Sequence, residues 1–382
     1  MIAYLDNAAS TAPLPEVIEA MARTMRDHFA NPSSLHSLGA AAARALTTAR
    51  EQVAALLHAE PGDVIFTGSG TEANALGLLG AARASRLRHV VVSAIEHAAV
   101  FSSARRLADD GWQVDEVAPG RDGCLTAEAV LAAVKPETAV VAVMLVNNEI
   151  GTLQPAADIA LALRALGRRI HFHVDAVQAA GLVRLDARTM GAHSIAISAH
   201  KLHGPKGIGA LWLGKGRRLA PLYGGGGQER DLRSGTENLP ACVGFGVAAT
   251  AALADTAAAQ RVRALRDRLE SLVFAGTRLA TPTVHPTTPR APHIASLLLP
   301  GLPAEPVLHA LESRGIFASE GAACSTHSRE PSRVMRALAV PASTGALRFS
   351  LSRLTSAAEI ERAARGLVDA LAEIDRAVRP GR

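Results

Sequence analysis

Short apolar runs that stop at polar residues recur along this chain. Residues 64–67, 89–95, 139–146, 170–175 and 195–197 are rich in Val, Ile and Ala and too short for buried helices, so each reads as a buried strand. At or just beyond their C-terminal ends come Thr71, His97, Asn148, Asp175 and Lys201. Helical segments separate most of these runs, the βαβ pattern of an α/β protein with a mainly parallel sheet covered on both faces. One polar residue at a strand end means little, whereas five on one edge of a sheet make a site.

Around this frame, residues 13–29 and 39–57 have the apolar spacing of helices. Between them, Asn31-Pro-Ser-Ser-Leu-His36 reads as a helix start capped by Asn or Ser. From Val64 to Asn74 a strand, a glycine turn and a helix start follow in succession, leaving backbone N–H groups free to hold a phosphate, with the Thr71 hydroxyl as a further donor. The glycines of 223–230 and 233–238 will not pack a core and imply a loop that approaches something closely. Residues 242–279 read as one long helical stretch leaving a large domain. A Pro-rich connector at 282–292 then opens a smaller domain, with a strand at 294–299, a helix at 303–311, a strand at 347–351 carrying Arg348, and a closing helix at 357–377. At 382 residues, two domains are expected.

Composition narrows the function. The chain is 48% hydrophobic but only 3% aromatic, so its core must be built from Ala, Leu and Val. The net charge of +5 is spread without a dense basic block, which argues against nucleic acid as a partner. With no charged leader and no run of about 18 apolar residues, a cytoplasmic protein without membrane contact is expected. Cys124, Cys242 and Cys324 are too scattered for a disulfide framework or a closed zinc site. Arginine supplies nearly all positive charge, and the only lysines are Lys135, Lys201, Lys206 and Lys215. A lysine kept at a strand end suggests a need for an amine that can lose its proton, which a guanidinium cannot do. A Schiff-base lysine, an aspartate on a neighbouring strand, a phosphate cup and an imidazole are what pyridoxal 5'-phosphate (PLP) requires. No Gly-x-Gly-x-x-Gly fingerprint and no Walker loop competes with this reading.

Taken in order, Asp6-Asn-Ala-Ala9, Asn31-Pro-Ser-Ser-Leu-His36, Gly70-Thr-Glu72, Glu96-His97, Asn147-Asn-Glu-Ile-Gly151, His173-Val-Asp-Ala-Val-Gln178, Ser198-Ala-His-Lys201, Gly204-Pro-Lys-Gly207, Gly226-Gly-Gln-Glu229 and Arg233-Ser-Gly-Thr-Glu-Asn238 resemble the cysteine desulfurases. These are class V aminotransferase relatives of fold type I, and Ala-Ala-Cys324-Ser resembles their group I loop. The resemblance implies a mainly parallel seven-stranded sheet in a large PLP-binding domain, residues 14–260. It implies a smaller α+β domain, residues 1–13 and 261–382, that carries the catalytic cysteine loop.

By the same resemblance Lys201 forms the Schiff base, Asp175 faces the pyridine nitrogen, His97 stacks on the ring and moves protons, and Gln178 bonds the ring oxygen. Gly70, Thr71, Ser198 and His200 would hold the phosphate, with Thr236 reaching it from the other subunit of a homodimer. Asn31, Asn148 and Arg348 would bind the substrate carboxylate, Asn148 also bordering the cofactor. Cys324 would attack the sulfur of L-cysteine, pass it to an acceptor or scaffold protein, and serve as the one candidate for a transient iron–sulfur ligand. The chain departs from the family at Ala322, usually Ser, and at Glu320, and it has Ala291-Pro-His-Ile-Ala-Ser296 in place of an Asn-containing segment. A selenocysteine lyase on the same scaffold and a non-catalytic scaffold homologue are the alternatives.

Overall fold

The computed structural model describes residues 2–320 and 331–378. Its strands, in chain order, are β1 (Ala3–Tyr4), β2 (Val64–Thr67), β3 (His89–Ser93), β4 (Gln113–Val117), β5 (Thr138–Met144), β6 (His171–Asp175), β7 (Ser194–Ser198), β8 (Gly209–Leu213), β9 (Thr281–Pro282), β10 (Ile294–Leu299), β11 (Ile316–Phe317) and β12 (Gly345–Ser350).

The seven strands β2 to β8 form one sheet in the order β2-β8-β7-β6-β5-β3-β4. Neighbours from β7 through β6, β5 and β3 to β4 pair in parallel, while β8 runs antiparallel to both β7 and β2. Strands β2, β3, β5, β6 and β7 therefore all point the same way, and their C-terminal ends share one edge. Strands β3, β5, β6 and β7 are buried along their whole length, as a parallel sheet covered on both faces demands. Edge strand β4 instead carries Gln113, Asp115 and Glu116, partly open to water, which discourages pairing with another chain.

Small side chains replace the missing aromatic bulk by letting backbones approach. The helices Ser37–Leu56 and Leu239–Ala254 pack so closely that a Cβ on Gly246 would lie 3.0 Å from the Ala49 Cα. Interiors are packed to crystal-like density, so close contact of small groups serves as well as a few large ones.

A second core gathers Ala3 and Leu5 with Val262, Leu297, Leu311, Phe349 and Leu367. Here β12, β10 and β9 form an antiparallel sheet, and β1 pairs in parallel with β11. The long helical stretch expected over 242–279 is two helices, Leu239–Ala254 and Ala258–Gly276, bent by 77°. Asp255 breaks the run: it leaves helical geometry at ψ 68°, and its carboxylate takes an ion pair from Arg261 at 2.6 Å. Among the described residues no single helix is long and apolar enough to cross a membrane.

Candidate active site

Strand β7 ends at Ser198, and a single 3-10 turn (Ala199–Lys201) carries Lys201 off the sheet edge. Its Nζ donates to the carbonyls of Ala8 (2.5 Å) and Ala9 (2.8 Å), and Gln178 Nε2 donates to the same Ala8 carbonyl at 2.8 Å. The N-terminal turn thus lies across the site. Its position is fixed by Asn7, whose backbone N–H and side-chain amide both donate to the Ser350 carbonyl, and by the Ser350 hydroxyl, which accepts from the Ala8 N–H at 2.8 Å. Beside Lys201 lies a crevice lined by Asn7, Gln178, His293 and Arg353, so the segment that departs from the family pattern borders the lysine.

Next to β7, the turn after β2 brings Gly70 so close to Ser198 that an added Cβ would lie 3.1 Å from the serine Cβ and 2.9 Å from Val177 Cγ2. The Ser198 hydroxyl is buried and has no hydrogen-bond partner. A buried hydroxyl without a partner costs free energy, and here it faces the helix start where Ser69 caps the Glu72 N–H and Thr71 stands exposed. Glu72 ties this cradle to the glycine-rich loop, accepting from Gly68 N–H (2.5 Å), Tyr223 OH (2.8 Å) and Arg233 Nε (3.2 Å). His200 meets the Ser10 hydroxyl at 3.3 Å, and burial beside Lys201 and Lys206 pushes its pKa down to about 4.

Asp175, at the end of β6, is buried, and burial pushes its carboxyl upward. His97, the Val177 N–H (2.9 Å), Asn74 (2.7 Å) and Lys201 pull the other way. His97 caps the helix Ala98–Asp109, its Nδ1 accepting from the Ala99 N–H at 3.1 Å. Just before it, Glu96 is wholly buried, and its Oε1 bridges two strands by accepting from Ser93 Oγ (2.5 Å) and the Met144 N–H (2.6 Å). Burial, reinforced by Asp175, pushes Glu96 from 4.5 to about 8, so it is a neutral acid at pH 7. The folded residue holds its proton where the unfolded one has released it. Its contribution to stability is therefore complete below about pH 4.5 and is lost as pH rises towards 8. Glu96→Gln is expected to flatten this slope in urea unfolding followed from pH 4.5 to 9; an unchanged slope would show that Glu96 does not carry it.

Arg348 reaches the same edge from β12 and is 2% exposed. Its guanidinium donates to the Asn148 carbonyl (2.9 Å) and to Asp6 Oδ1 (2.7 Å). Its backbone exchanges two hydrogen bonds with Ser319, at 2.7 and 3.1 Å. Beyond residue 330, Ser332 Oγ donates to Glu149 Oε2 at 2.6 Å. Ser319 and Ser332 are thus both held by residues of this edge. Cys324 and Ala322 themselves lie outside the described residues. Glu320 is described, and burial with nearby Glu305 pushes its carboxyl upward.

The structure gathers Gly70, Thr71, His97, Asn148, Asp175, Gln178, Ser198, His200, Lys201 and Arg348 along one sheet edge. Asn31 and Thr236 stand in exposed loops, and Asn31 Oδ1 accepts from the nearby Ser33 N–H. The helix start after Asn31 is capped by His36 Nδ1 rather than by Asn or Ser. Among the described residues no group of three or more His, Cys, Asp or Glu side chains could hold a metal. Sequence reasoning gave no role to Asn74, nor to Glu96 and the Ala8 and Ala9 carbonyls, although the last three lie in the quoted motifs. The one available signal was polar residues inside otherwise apolar or small-residue runs.

The pattern of the class-V aminotransferases matches residues 3–363. A solved structure titled a NifS-like protein superposes with a TM-score of 0.90 at 30% identity, covering 98% of this chain and 100% of its own. The chain therefore belongs to the class-V aminotransferase family. Within it, the chain stands among the cysteine desulfurases. The cysteine desulfurase NifS of Azotobacter vinelandii is 41% identical over 376 residues, 97% of this chain and 93% of that one. A solved structure titled SspA in complex with cysteine gives a TM-score of 0.81 at 31% identity, covering 92% of this chain and 99% of its own.

Proposed function

We propose that this enzyme uses PLP to remove sulfur from L-cysteine, leaving L-alanine and a persulfide on Cys324 that passes to an acceptor protein. The observation that carries this reading is the convergence of Lys201, Asp175, His97 and Arg348 at one sheet edge, in a chain of the cysteine desulfurase family. The orphaned Ser198 hydroxyl beside Gly70 and the buried carboxylate of Asp175 fit the phosphate and ring nitrogen of PLP.

When bound, PLP supplies electron withdrawal that weakens bonds at the substrate carbon. The protein supplies the rest. Lys201 is the covalent anchor and an amine that accepts and returns a proton. His97 would move a second proton, Gln178 would help hold the PLP ring, and Arg348 with Asn148 and Asn31 would align the substrate carboxylate. The Cys324 thiolate takes the sulfur: an S–S bond forms as the substrate Cβ–S bond breaks. That electron pair stays on carbon, which is then protonated to give alanine.

The active unit is a homodimer in which Thr236 completes the partner's phosphate site. A core built almost wholly from residues 3–5 and 262–371 supports a small domain at 1–13 and 261–382 beside a large one at 14–260. The test is to incubate the PLP-loaded protein with L-cysteine and, separately, with selenocysteine. Alanine from cysteine, with one extra sulfur on the Cys324 peptide, is expected. Turnover of selenocysteine alone would overturn the reading.

A further inference from the structure

Behind Asp175 runs a continuous chain of buried polar groups that no role above uses. Asn74 Nδ2 donates to Asp175 Oδ2 at 2.7 Å. Asn74 Oδ1 meets His173 Nε2 at 2.9 Å, His173 Nδ1 meets Ser194 Oγ at 2.8 Å, and Ser194 Oγ meets His171 Nε2 at 2.8 Å. The four groups behind Asp175 come from the helix Gly70–Ala75 and from β6 and β7, and all are 9% exposed or less.

With Asp175 ionised, proton positions follow by elimination from that end. An ionised carboxylate only accepts, and the amide NH2 is the only donor of Asn74, so Nδ2 faces Asp175 and Oδ1 faces His173. His173 must then carry its proton on Nε2. Burial pushes His173 down to about 3 and His171 well below its usual value, so both rings are neutral and have one proton each. His173 Nδ1 is thus an acceptor. Ser194 donates to it and accepts from His171 Nε2–H. Every donor in the chain points towards Asp175. Were Asp175 protonated, it could donate to Asn74 Oδ1, and the chain would reverse. The His173 ring cannot shift to escape this arrangement, because it lies so close to Gly77 that a Cβ there would sit 2.3 Å from its Cε1 and Nδ1.

We infer that Asn74 and His173 are positioning residues whose oriented donor chain holds Asp175 as the anion that pairs with the ring nitrogen of PLP. The role rests on the PLP reading above. Burial alone works against an ionised carboxylate, and aligned donors offset it as no single hydrogen bond in water would. Pairing with a protonated ring nitrogen completes the compensation.

The experiment compares binding of PLP with its 1-deaza analogue, in which carbon replaces the ring nitrogen, to wild type, Asn74→Leu, His173→Phe and His173→Gln. Wild type is expected to prefer PLP. Asn74→Leu and His173→Phe should lose about tenfold or more of that preference, the scale of a hydrogen bond to a charged group. His173→Gln, which keeps a donor towards Asn74, should retain most of it. Equal weakening of both ligands, or undiminished preference in Asn74→Leu, would overturn the positioning role alone. Failure of wild type to bind PLP would overturn the cofactor reading and this role with it. Nitrogen-15 NMR of histidine-labelled wild type gives a check independent of folding in the variants. His173 should be the neutral tautomer protonated at Nε2, and protonation at Nδ1 instead would overturn the inference.

Discussion

Cys324→Ser is expected to bind PLP and L-cysteine yet release alanine at least about 1000-fold more slowly, the scale of losing a nucleophile. The other thiols explain why no substitute is at hand. Cys242 is 1% exposed, and burial, with Glu229 nearby, pushes its thiol far up. Cys124 is half-buried, its Sγ lies 3.6 Å from the Leu153 carbonyl, and burial beside Asp122 pushes it to about 11. At pH 7 roughly one Cys124 in ten thousand is a thiolate, the form that attacks. Mass spectrometry after a pulse of cysteine should find the added sulfur on the Cys324 peptide of the wild type and on no peptide of the serine variant. Sulfur on Cys124 or Cys242, or normal turnover in the variant, would remove Cys324 from the mechanism.

Lys201→Arg should be as damaging, although it keeps the charge and the donors that Ala8 and Ala9 accept from. A guanidinium does not lose its proton near neutral pH and so cannot anchor PLP covalently. Turnover is expected to fall at least about 1000-fold, and the visible absorption band of covalently held PLP to vanish. Thermal unfolding near that of the wild type would show that the N-terminal turn still docks. Lys201→Ala should lose the band too, along with both contacts to the turn. Retained turnover in the arginine variant would overturn the role of the lysine amine.

The sheet and half of its site were legible because strands leave a dense signature. Wholly apolar runs such as Ala139 to Val143 have few other places to go, and the residues at their ends follow from strand direction alone. Strand β8 was not foreseen at all, because Gly209 to Leu213 is a five-residue run directly after a Gly/Pro-rich turn, too short to stand out. The break at Asp255 was hidden by alanines on both sides that favour helix wherever they stand. Asn74 and Glu96 escaped for a different reason. Asp175 lies 101 residues from Asn74, and Met144 lies 48 from Glu96, whose other partner Ser93 is local; one sequence holds no trace of the distant pairings. The PLP reading came from four residue types, whereas the individual roles came from the family resemblance.

The turn that holds Lys201 and the strand that docks this turn lie far apart along the chain, the strand being the later of the two. Ala8 is 193 residues from its lysine, and its N–H awaits Ser350, 342 residues on. Such contacts carry the full entropy of closing a long loop and form late. During synthesis the sheet edge can assemble while residues 300 onward are still being added, but its first segment has nothing to dock against. A nascent chain therefore carries an open lysine until β12 emerges. A fragment ending before residue 345 would therefore contain the lysine without its enclosure.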